Sequence, residues 1–323
     1  MNYAKLDGMR IIIFILIFLL FVSQNSFAFW VWTPETNKWV NPKYAVKETP
    51  QEQLAYVKEI FDAKNYKKAT EEANKLIKHY PKAREAAEAQ YYIGLAQEEE
   101  GQLYEAFKSF QVVIEKYPYS DRAAEIVKRQ FEIGHRMLEG EDKKNTFVNA
   151  VVGGDYNVVD VFRKVIKNAP YGQLAAPAQY KIGLYLQGKQ LYQEARDEFE
   201  KVINDYPQSE WAKAAKYQIA LSDAKRSTGP QYDQAITQSA VKEFKTFVEH
   251  YPDAELSDKA QQEIQNLKEK EAENNFVIAQ FYEKQKNFNA AKIYYNTIVA
   301  DFQNTSWVVK ALEKIRSLNS QIK

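Results

Sequence analysis

Cysteine is absent from this 323-residue chain, and histidine occurs only three times. Without cysteine there is no disulfide framework, no thiolate nucleophile and no zinc–thiolate site. The 44 basic side chains nearly balance the 43 acidic ones, which leaves a net charge of +1. That balance argues against a broad nucleic-acid-binding surface, because such surfaces make a domain strongly basic. Few residues are left for metal binding or acid–base chemistry.

The usual catalytic signatures are missing as well. The chain has no His-Glu-x-x-His, no Gly-x-Ser-x-Gly, no glycine-rich phosphate loop and no dinucleotide-binding fingerprint. His79 and His250 each lie two residues before a recurring proline position, which predicts two helix C-termini, where positive charge is favourable. His135 stands alone, and Gly153-Gly154-Asp155 is interpreted as a loop. We therefore predict a protein that is not an enzyme, with no catalytic residues, no metal site and no cofactor.

The longest apolar run, residues 11–22, is shorter than the ~20 residues that a membrane-spanning helix needs. Lys5 and Arg10 precede it, and Ser26-Phe27-Ala28 follows it with small residues at the positions typical of a cleavage site. This order predicts a secretory signal peptide over residues 1–28 and an exported mature protein. A permanent membrane anchor is the alternative. A bacterial lipoprotein would carry a cysteine at the cleavage site, and none is present.

A repeat organises the rest of the chain. The pair Tyr-Pro recurs at residues 80–81, 117–118, 206–207 and 251–252. In the copy that ends at Pro118, Gly94 is followed by Gly101 at +7, Ala106 at +12 and Phe110 at +16. These are the small, small, aromatic and proline positions of the 34-residue tetratricopeptide repeat. The small residues let two helices approach closely, the aromatic ring fills the wedge beside them, and the proline cannot continue the helix.

Six copies align, which predicts an all-α tetratricopeptide-repeat solenoid of about six helical hairpins over residues 50–323. The third copy needs an insertion between Gly134 and Val158, and the fifth needs one around residues 227–230. The sixth copy, with Ala279, Ala291 and Tyr295, follows a long charged helix near residues 256–272. Residues 306–318 are predicted to form the capping helix that repeat arrays require.

The segment 29–49 has a different character, because it holds Trp30, Trp32 and Trp39 around a Pro-Glu-Thr-Asn turn. We predict a short extended or hairpin arm here. One hypothesis is that the rings fold back and cover the end of the first repeat. The other is an aromatic patch that meets a partner or the membrane interface.

From the second copy on, an aromatic ladder marks the first helix, three residues before the packing Gly or Ala, where the first copy has Leu54. Its members with their neighbouring leucines are predicted partner-binding residues of a concave groove: Tyr91, Leu95, Phe131, Tyr180, Leu184, Tyr217, Leu221 and Phe276. Rings of this kind suit an extended peptide because they offer large contact area at low entropy cost. The alternative is that the rings simply pack between repeats.

Three stretches, residues 89–134, 232–255 and 272–315, resemble the BamD-like family of tetratricopeptide proteins of the outer-membrane β-barrel assembly machinery. The first stretch is generic to periplasmic repeat proteins, and the other two are more specific. The resemblance implies a scaffold at the periplasmic face of the outer membrane of a Gram-negative-type bacterium. It also implies two kinds of protein partner, outer-membrane barrel precursors and barrel-assembly machinery subunits, and no nucleic acid.

The chain departs from that family in two respects. It lacks the lipid-bearing cysteine, so peripheral membrane association would depend on the Trp-rich arm, a partner or an uncleaved signal segment. It also has a sixth repeat beyond the usual five. A generic periplasmic adaptor in envelope maintenance or division, of the type associated with the Tol–Pal system, is the alternative function. An enzyme would need a catalytic domain outside the repeats, and residues 29–50 are too few to form one.

Overall fold

The computed structural model describes residues 31–33, 38–40, 45–141, 157–227, 234–252 and 255–321. Within these residues there are thirteen helices and one two-stranded hairpin. The strands are β1 (Val31–Thr33) and β2 (Lys38–Val40). The first helices are α1 (Pro50–Asp62), α2 (Tyr66–His79), α3 (Arg84–Glu99), α4 (Leu103–Lys116), α5 (Ala123–Leu138), α6 (Asn157–Asn168) and α7 (Ala175–Gly188). The remaining helices are α8 (Tyr192–Asp205), α9 (Glu210–Arg226), α10 (Gln234–His250), α11 (Glu255–Lys284), α12 (Phe288–Asp301) and α13 (Trp307–Gln321).

The chain divides into two compact units, residues 1–100 and 101–323. The first holds the β-hairpin and α1 to α3, and the second holds α4 to α13. In the second unit each helix packs on the next, the first helices of the fourth, fifth and sixth repeats, α7, α9 and α11, pack on their neighbours in the series, and α11 also packs on α13. This is the packing of tetratricopeptide hairpins, and it confirms the predicted all-α repeat fold.

In the first unit, helix α1 starts where a cap and a proline coincide. Thr49 Oγ1 accepts a hydrogen bond from the backbone N–H of Glu52 at 3.2 Å, and Pro50 occupies the first helical turn. Such a cap satisfies one of the amide groups that a helix N-terminus leaves unpaired. Helix α1 packs on α2 and α3, and Val57, the residue at the first repeat's packing position, is completely buried.

In the repeats without an insertion, the turn between the two helices has a left-handed residue at +7. That position is Gly101 in the second repeat, with a φ of 72°. It is a lysine or glutamine in the first, fourth and sixth repeats, and these residues also have positive φ: Lys64 (59°), Gln190 (63°) and Lys286 (57°). A side chain makes this conformation unfavourable, so three turns are held in place by the helices that flank them.

The predicted wedge residues form the core. Phe110, Phe162, Phe199, Phe244 and Tyr295, one from each of repeats two to six, are among the largest fully buried side chains. A Cβ atom added to Gly183 would lie 2.5 Å from Cε1 of Phe199, and one added to Gly134 would lie 2.8 Å from Cε1 of Phe162. The close approach that was predicted for the packing glycines is confirmed at both positions.

The second helices end alike. Tyr80, Tyr117, Tyr206 and Phe302 follow the last helical residue with φ between −121° and −132° and ψ between 41° and 62°. Each still donates its backbone N–H to the carbonyl four residues earlier. The proline that follows three of them disfavours the α conformation at the residue before it, so the helix stops there.

The sixth repeat is built differently from the prediction. The long charged helix and the first helix of the repeat are one continuous 30-residue helix, α11. Its N-terminal half packs with α10 through Ala260 and Leu267, and its C-terminal half packs with α12 and α13 through Ala272 and Phe276. Helix α13, which contains most of the segment predicted as a capping helix, packs on α11 and α12.

The N-terminal arm contains the predicted hairpin. Strands β1 and β2 are antiparallel, and Trp32 lies directly opposite Trp39 with 5.6 Å between ring centroids. Both rings are exposed, Trp39 to 63%. Rings that covered the first repeat would be buried, so their exposure favours the aromatic-patch hypothesis.

Several predictions lie outside the described residues. These are the signal peptide, Trp30, Gly153-Gly154-Asp155 and most of the insertion in the fifth repeat. No helix in the described part of the chain has both the length and the apolar character needed to cross a membrane.

Candidate binding surfaces

The rings of the predicted aromatic ladder are buried. The exposed fraction is 2% for Tyr91 and no more than 8% for Phe131, Tyr180, Tyr217 and Phe276. Tyr180 lies between Phe199 and Trp211, with centroid distances of 5.3 and 5.1 Å. Burial raises the pKa of Tyr180, and a hydrogen bond from Gln218 to its hydroxyl opposes the rise.

The other rings of the second unit have equivalent contacts. Phe131 meets Phe162, Tyr217 meets Phe244 and Phe247, and Phe276 meets Tyr295 and Trp307, all within 5.8 Å between centroids. The expectation that the ladder faces a groove as exposed rings is therefore corrected: these rings fill the layer between helices. The physical reason is that each ring lies three residues from a packing Gly or Ala, which places it on the same buried helix face.

The leucines of the prediction are placed differently. Leu95, Leu184 and Leu221 each follow the packing residue directly, and all three are half-buried. Leu184 and Leu221 pack against the core clusters of the fourth and fifth repeats while leaving part of their surface to solvent. Each of the three leucines therefore leaves some apolar side-chain surface uncovered.

A buried polar pair recurs that the sequence analysis did not identify. In the first repeat, Gln53 Nε2 donates to Glu72 at 2.9 Å, and in the fourth, Gln179 Nε2 donates to Glu198 at 2.5 Å. The glutamine lies four residues before the packing position, and the glutamate lies directly before the wedge residue. A lysine one turn later, Lys75 or Lys201, completes each pair at 2.7 or 2.8 Å. Burial would raise the pKa of Glu198, but Lys201, Gln179 and Arg163 lower it below its ordinary value.

The fifth repeat breaks this pattern. Its glutamate is Glu243, but Lys216 replaces the glutamine and Thr246 replaces the lysine. Glu243 instead meets Arg196 at 3.1 Å, and Arg196 also pairs with Asp223. One oxygen of Glu243, Oε2, is buried and has no hydrogen-bond partner among the described residues. Burial raises the pKa of Glu243, and Arg196 offsets the rise only in part.

A cleft of about 680 Å³ opens beside Glu243, between α8, α9 and α10. Its lining includes the apolar residues Ile203, Ile219 and Phe247 and side chains of both charges, among them Lys242 and Glu200. A second cleft of about 520 Å³ lies where the fourth repeat ends and the fifth begins, next to Tyr206 and Trp211. Burial raises the pKa of Tyr206, and the negative charge of Asp205 adds to that shift.

All three histidines lie in the last turn of a helix. His250 Nδ1 lies 2.8 Å from the carbonyl oxygen of Thr246, at the end of α10 as predicted. His79 occupies the equivalent last position of α2, and His135 faces Glu139 at 3.7 Å on α5. Across the described residues, no cluster of His, Asp and Glu has a geometry that could hold a metal ion.

Comparison with known proteins places most of these helices in described families. Residues 88–120 match a tetratricopeptide-repeat family, and residues 148–323 match the YfiO family of outer membrane lipoproteins. Neither is a catalytic family. No curated protein sequence matches the chain.

Several solved structures are similar in part. A tetratricopeptide repeat protein from Parabacteroides merdae is 12% identical, with 84% of this chain and 99% of that chain covered and a TM-score of 0.35. The C-terminal part of a repeat protein from Cytophaga hutchinsonii is 16% identical, with 83% and 88% covered and a TM-score of 0.37. A thermophilic repeat protein of Thermus thermophilus is 12% identical, with 67% and 99% covered and a TM-score of 0.32.

The family match agrees with the resemblance found in the sequence. Its range contains the two stretches identified as specific, residues 232–255 and 272–315, whereas the generic stretch falls mostly within the repeat-family match. The family description indicates a location in the cell envelope, and proteins built from such repeats generally bind other proteins. Because the match from residue 148 to residue 323 covers more than half of the chain, the protein belongs to the YfiO family of outer membrane lipoproteins.

Proposed function

We propose that this protein is a non-enzymatic periplasmic scaffold in β-barrel assembly, which binds unfolded outer-membrane protein precursors and sister subunits of the assembly machinery. The observation that carries this proposal is the YfiO match, which extends from the third repeat through α13. Within residues 101–323, wedge rings such as Phe199 and Tyr295 are fully buried and hold neighbouring helices at a fixed spacing, which suits this role. A scaffold with fixed spacing loses little entropy when an extended chain binds.

The surface proposed for precursors is the face of α7 and α9 that bears Leu184 and Leu221; in the first unit, Leu95 is proposed as a separate apolar contact. The buried ladder rings, such as Tyr180 and Tyr217, support this surface from behind rather than contacting the partner. Half-buried leucines offer apolar area to an unfolded chain, and charges beside them, such as Lys225, select among partners.

The location at the periplasmic face of the outer membrane is part of the same proposal. Residues 1–28 would direct export, residues 29–49 would form the arm, and residues 50–323 would form the repeat array. The exposed pair Trp32 and Trp39 has the amphipathic character favoured at a membrane interface, which supports peripheral association through the arm.

The direct test is binding of urea-unfolded, fluorescently labelled outer-membrane barrel precursors, diluted into the purified protein and followed by anisotropy. The control ligand is an unfolded soluble protein of similar length. We expect the Leu184→Gln/Leu221→Gln double variant to bind the precursor about tenfold more weakly, because two apolar contacts are lost. Leu191→Gln is the matched control, since Leu191 is an exposed leucine in the turn before α8.

Equal affinity for precursors and for the soluble control would refute the proposed specificity. The sister subunits are tested by purifying the protein from membranes in mild detergent and identifying what accompanies it. A large β-barrel protein with periplasmic domains is the expected companion. Recovery of peptidoglycan-binding or division proteins instead would point to the envelope-adaptor function.

A further inference from the structure

The cleft at the junction of the fourth and fifth repeats has an unusual composition. Tyr206 and Trp211 provide aromatic walls, and Asp205 and Glu210 provide carboxylates. None of the described residues that line it is basic. Tyr171, in the loop beside Gly172 of the lining, is fully exposed. A concave site with aromatic faces and negative charge has the chemistry that binds an organic cation.

The two carboxylates are available for a ligand. Within the described part of the chain, neither Asp205 nor Glu210 forms an ion pair or a side-chain hydrogen bond, and both residues are exposed. Ser209, the N-cap of α9, already accepts a hydrogen bond from the N–H of Ala212 at 3.2 Å. The start of α9 is thus capped from within, and the charged acceptors at this cleft are the two carboxylates.

The chain contains an internal counterpart of this cleft. Residues 205–211 correspond to residues 301–307 at the end of the sixth repeat, so Trp211 corresponds to Trp307. Both tryptophans have a centroid distance of 5.1 Å to the ladder ring of their repeat, with ring planes inclined at 47° and 43°. The two indoles are therefore held in the same way.

The counterpart is already occupied by a cation. Lys310, three residues after Trp307, places its ammonium group 3.9 Å from the centre of the indole ring. The residue three positions after Trp211 is Ala214, which has no charge and cannot reach across the ring. The lysine that covers the indole after the sixth repeat therefore has no counterpart at the matching position beside Trp211.

We propose that the cleft at Trp211 binds a lysine or arginine side chain of a partner protein segment. The cation lies over the indole as Lys310 lies over Trp307, with Asp205 and Glu210 neutralising its charge. The inference names a chemistry for the partner and rests on the protein-binding function proposed above, but it concerns a different surface. We therefore expect a partner segment with a basic residue to bind at this junction more tightly than a segment without one.

The first experiment uses a small probe, so that it does not depend on any precursor. N-acetyl-arginine amide is titrated into ¹⁵N-labelled protein while the indole N–H resonance of Trp211 is followed, assigned with Trp211→Phe. N-acetyl-citrulline amide, which has nearly the same shape but no charge, is the control ligand. We expect a saturable shift with the arginine probe and none with the citrulline probe. The same response to both probes, or to neither, overturns the inference.

The second experiment introduces a lysine beside Trp211 at the position that Lys310 has beside Trp307. Ala214→Lys should place an ammonium over Trp211, abolish the shift with the arginine probe and weaken precursor binding about tenfold, the loss expected for one cation–π contact with its ion pairs. Ala214→Gln, similar in length and uncharged, is the matched control. The Asp205→Asn/Glu210→Gln double variant should bind the arginine probe more weakly. The fold should not change, because both side chains are exposed.

The outcomes separate the two proposals. If no precursor binds while the arginine probe shifts Trp211, the precursor function fails and the cation site stands. If precursors bind wild type and Ala214→Lys equally well, a role for this cleft in partner binding is overturned although the scaffold function stands.

Discussion

Gly183→Ala gives the sharpest test of how the repeats are packed. In an unobstructed helix interior, alanine is favoured over glycine by about 1 kcal/mol. At Gly183 the new Cβ would lie 2.5, 2.7 and 2.8 Å from three ring atoms of Phe199, although carbon atoms prefer about 3.5–4.0 Å. The ring cannot withdraw easily, because Phe199 is fully buried and Tyr180 lies behind it at 5.3 Å.

The expected size of the effect follows from these two opposing contributions. Overpacking a well-packed core costs about 1–3 kcal/mol, and three simultaneous overlaps place this substitution at the upper end. After the helix-propensity gain is subtracted, we expect Gly183→Ala to destabilise the protein by about 2 kcal/mol. The matched control is Gly188→Ala in the same helix, where a Cβ would meet no atom within 4 Å. That variant should be neutral or slightly more stable.

The assay is urea unfolding followed by circular dichroism, with hydrogen exchange of the amides in α7 and α8 as the local measurement. Repeat arrays derive stability from contacts between neighbours, so the loss should be concentrated in these two helices and those beside them. Adding Phe199→Leu, which removes the outer ring atoms, should partly rescue Gly183→Ala and give a favourable coupling energy. If Gly183→Ala were as stable as Gly188→Ala, the close approach of α7 and α8 would be refuted.

The other expectations concern turns and buried carboxylates. Gln190→Gly should stabilise the protein by about 1 kcal/mol, because Gln190 has a φ of 63° and glycine adopts this conformation without strain. The measurement is the melting temperature, which should rise for Gln190→Gly and stay unchanged for the control Gln190→Ala. Glu198→Gln should destabilise the protein at neutral pH, since the folded pKa of Glu198 is lowered; that difference should disappear as the pH falls through the folded pKa, below 4.5. Glu243→Gln should behave oppositely, because a raised pKa means that ionising Glu243 above pH 4.5 weakens the fold, so the variant should be at least as stable as wild type near pH 7. Urea midpoints of both variants between pH 4 and pH 8 would check the signs, and parallel profiles would contradict them.

The sequence predicted the helices well because the repeat offsets carry direct steric meaning. In the second, fourth and sixth repeats a Gly or Ala at the packing position and an aromatic residue at +16 mark the place where two helices approach closely, and the third and fifth repeats keep the same two residue types on either side of an insertion. Phe199 and Phe244 are therefore buried at the positions where the alignment placed them. The offsets contain no information on where one helix stops and another starts within a charged stretch, so α11 was expected as two segments rather than one.

The ladder shows where pattern matching went wrong and elementary geometry would have corrected it. Residues three apart share a helix face, so Tyr180 must face the same way as Gly183, which touches Phe199. Leu184 is turned by about 100° from Gly183, and this rotation explains why it is half-buried while Tyr180 is not exposed. We therefore propose that Leu184 and Leu221, rather than the rings, contact a bound peptide.

The polar pairs could also have been found by comparing the repeats with one another. Gln53 with Glu72 and Gln179 with Glu198 occupy identical offsets, so the sequence contains the signal. The sequence does not predict the ion pair between Glu243 and Arg196. Arg196 belongs to the preceding repeat, so this pair depends on how α8 and α10 face each other.

These departures from repeat equivalence fall in one region and have one physical consequence. In the fourth and fifth repeats, Lys216 replaces a buried glutamine and Ala214 stands where the sixth repeat has Lys310. The first change contributes to leaving Glu243 Oε2 without a partner, and the second leaves the face of Trp211 open. A buried carboxylate oxygen without a partner is costly to leave in place, and the chain has no lysine near Trp211 at the position from which Lys310 reaches Trp307. We therefore expect α8 to α10 to take part in the partner binding proposed above.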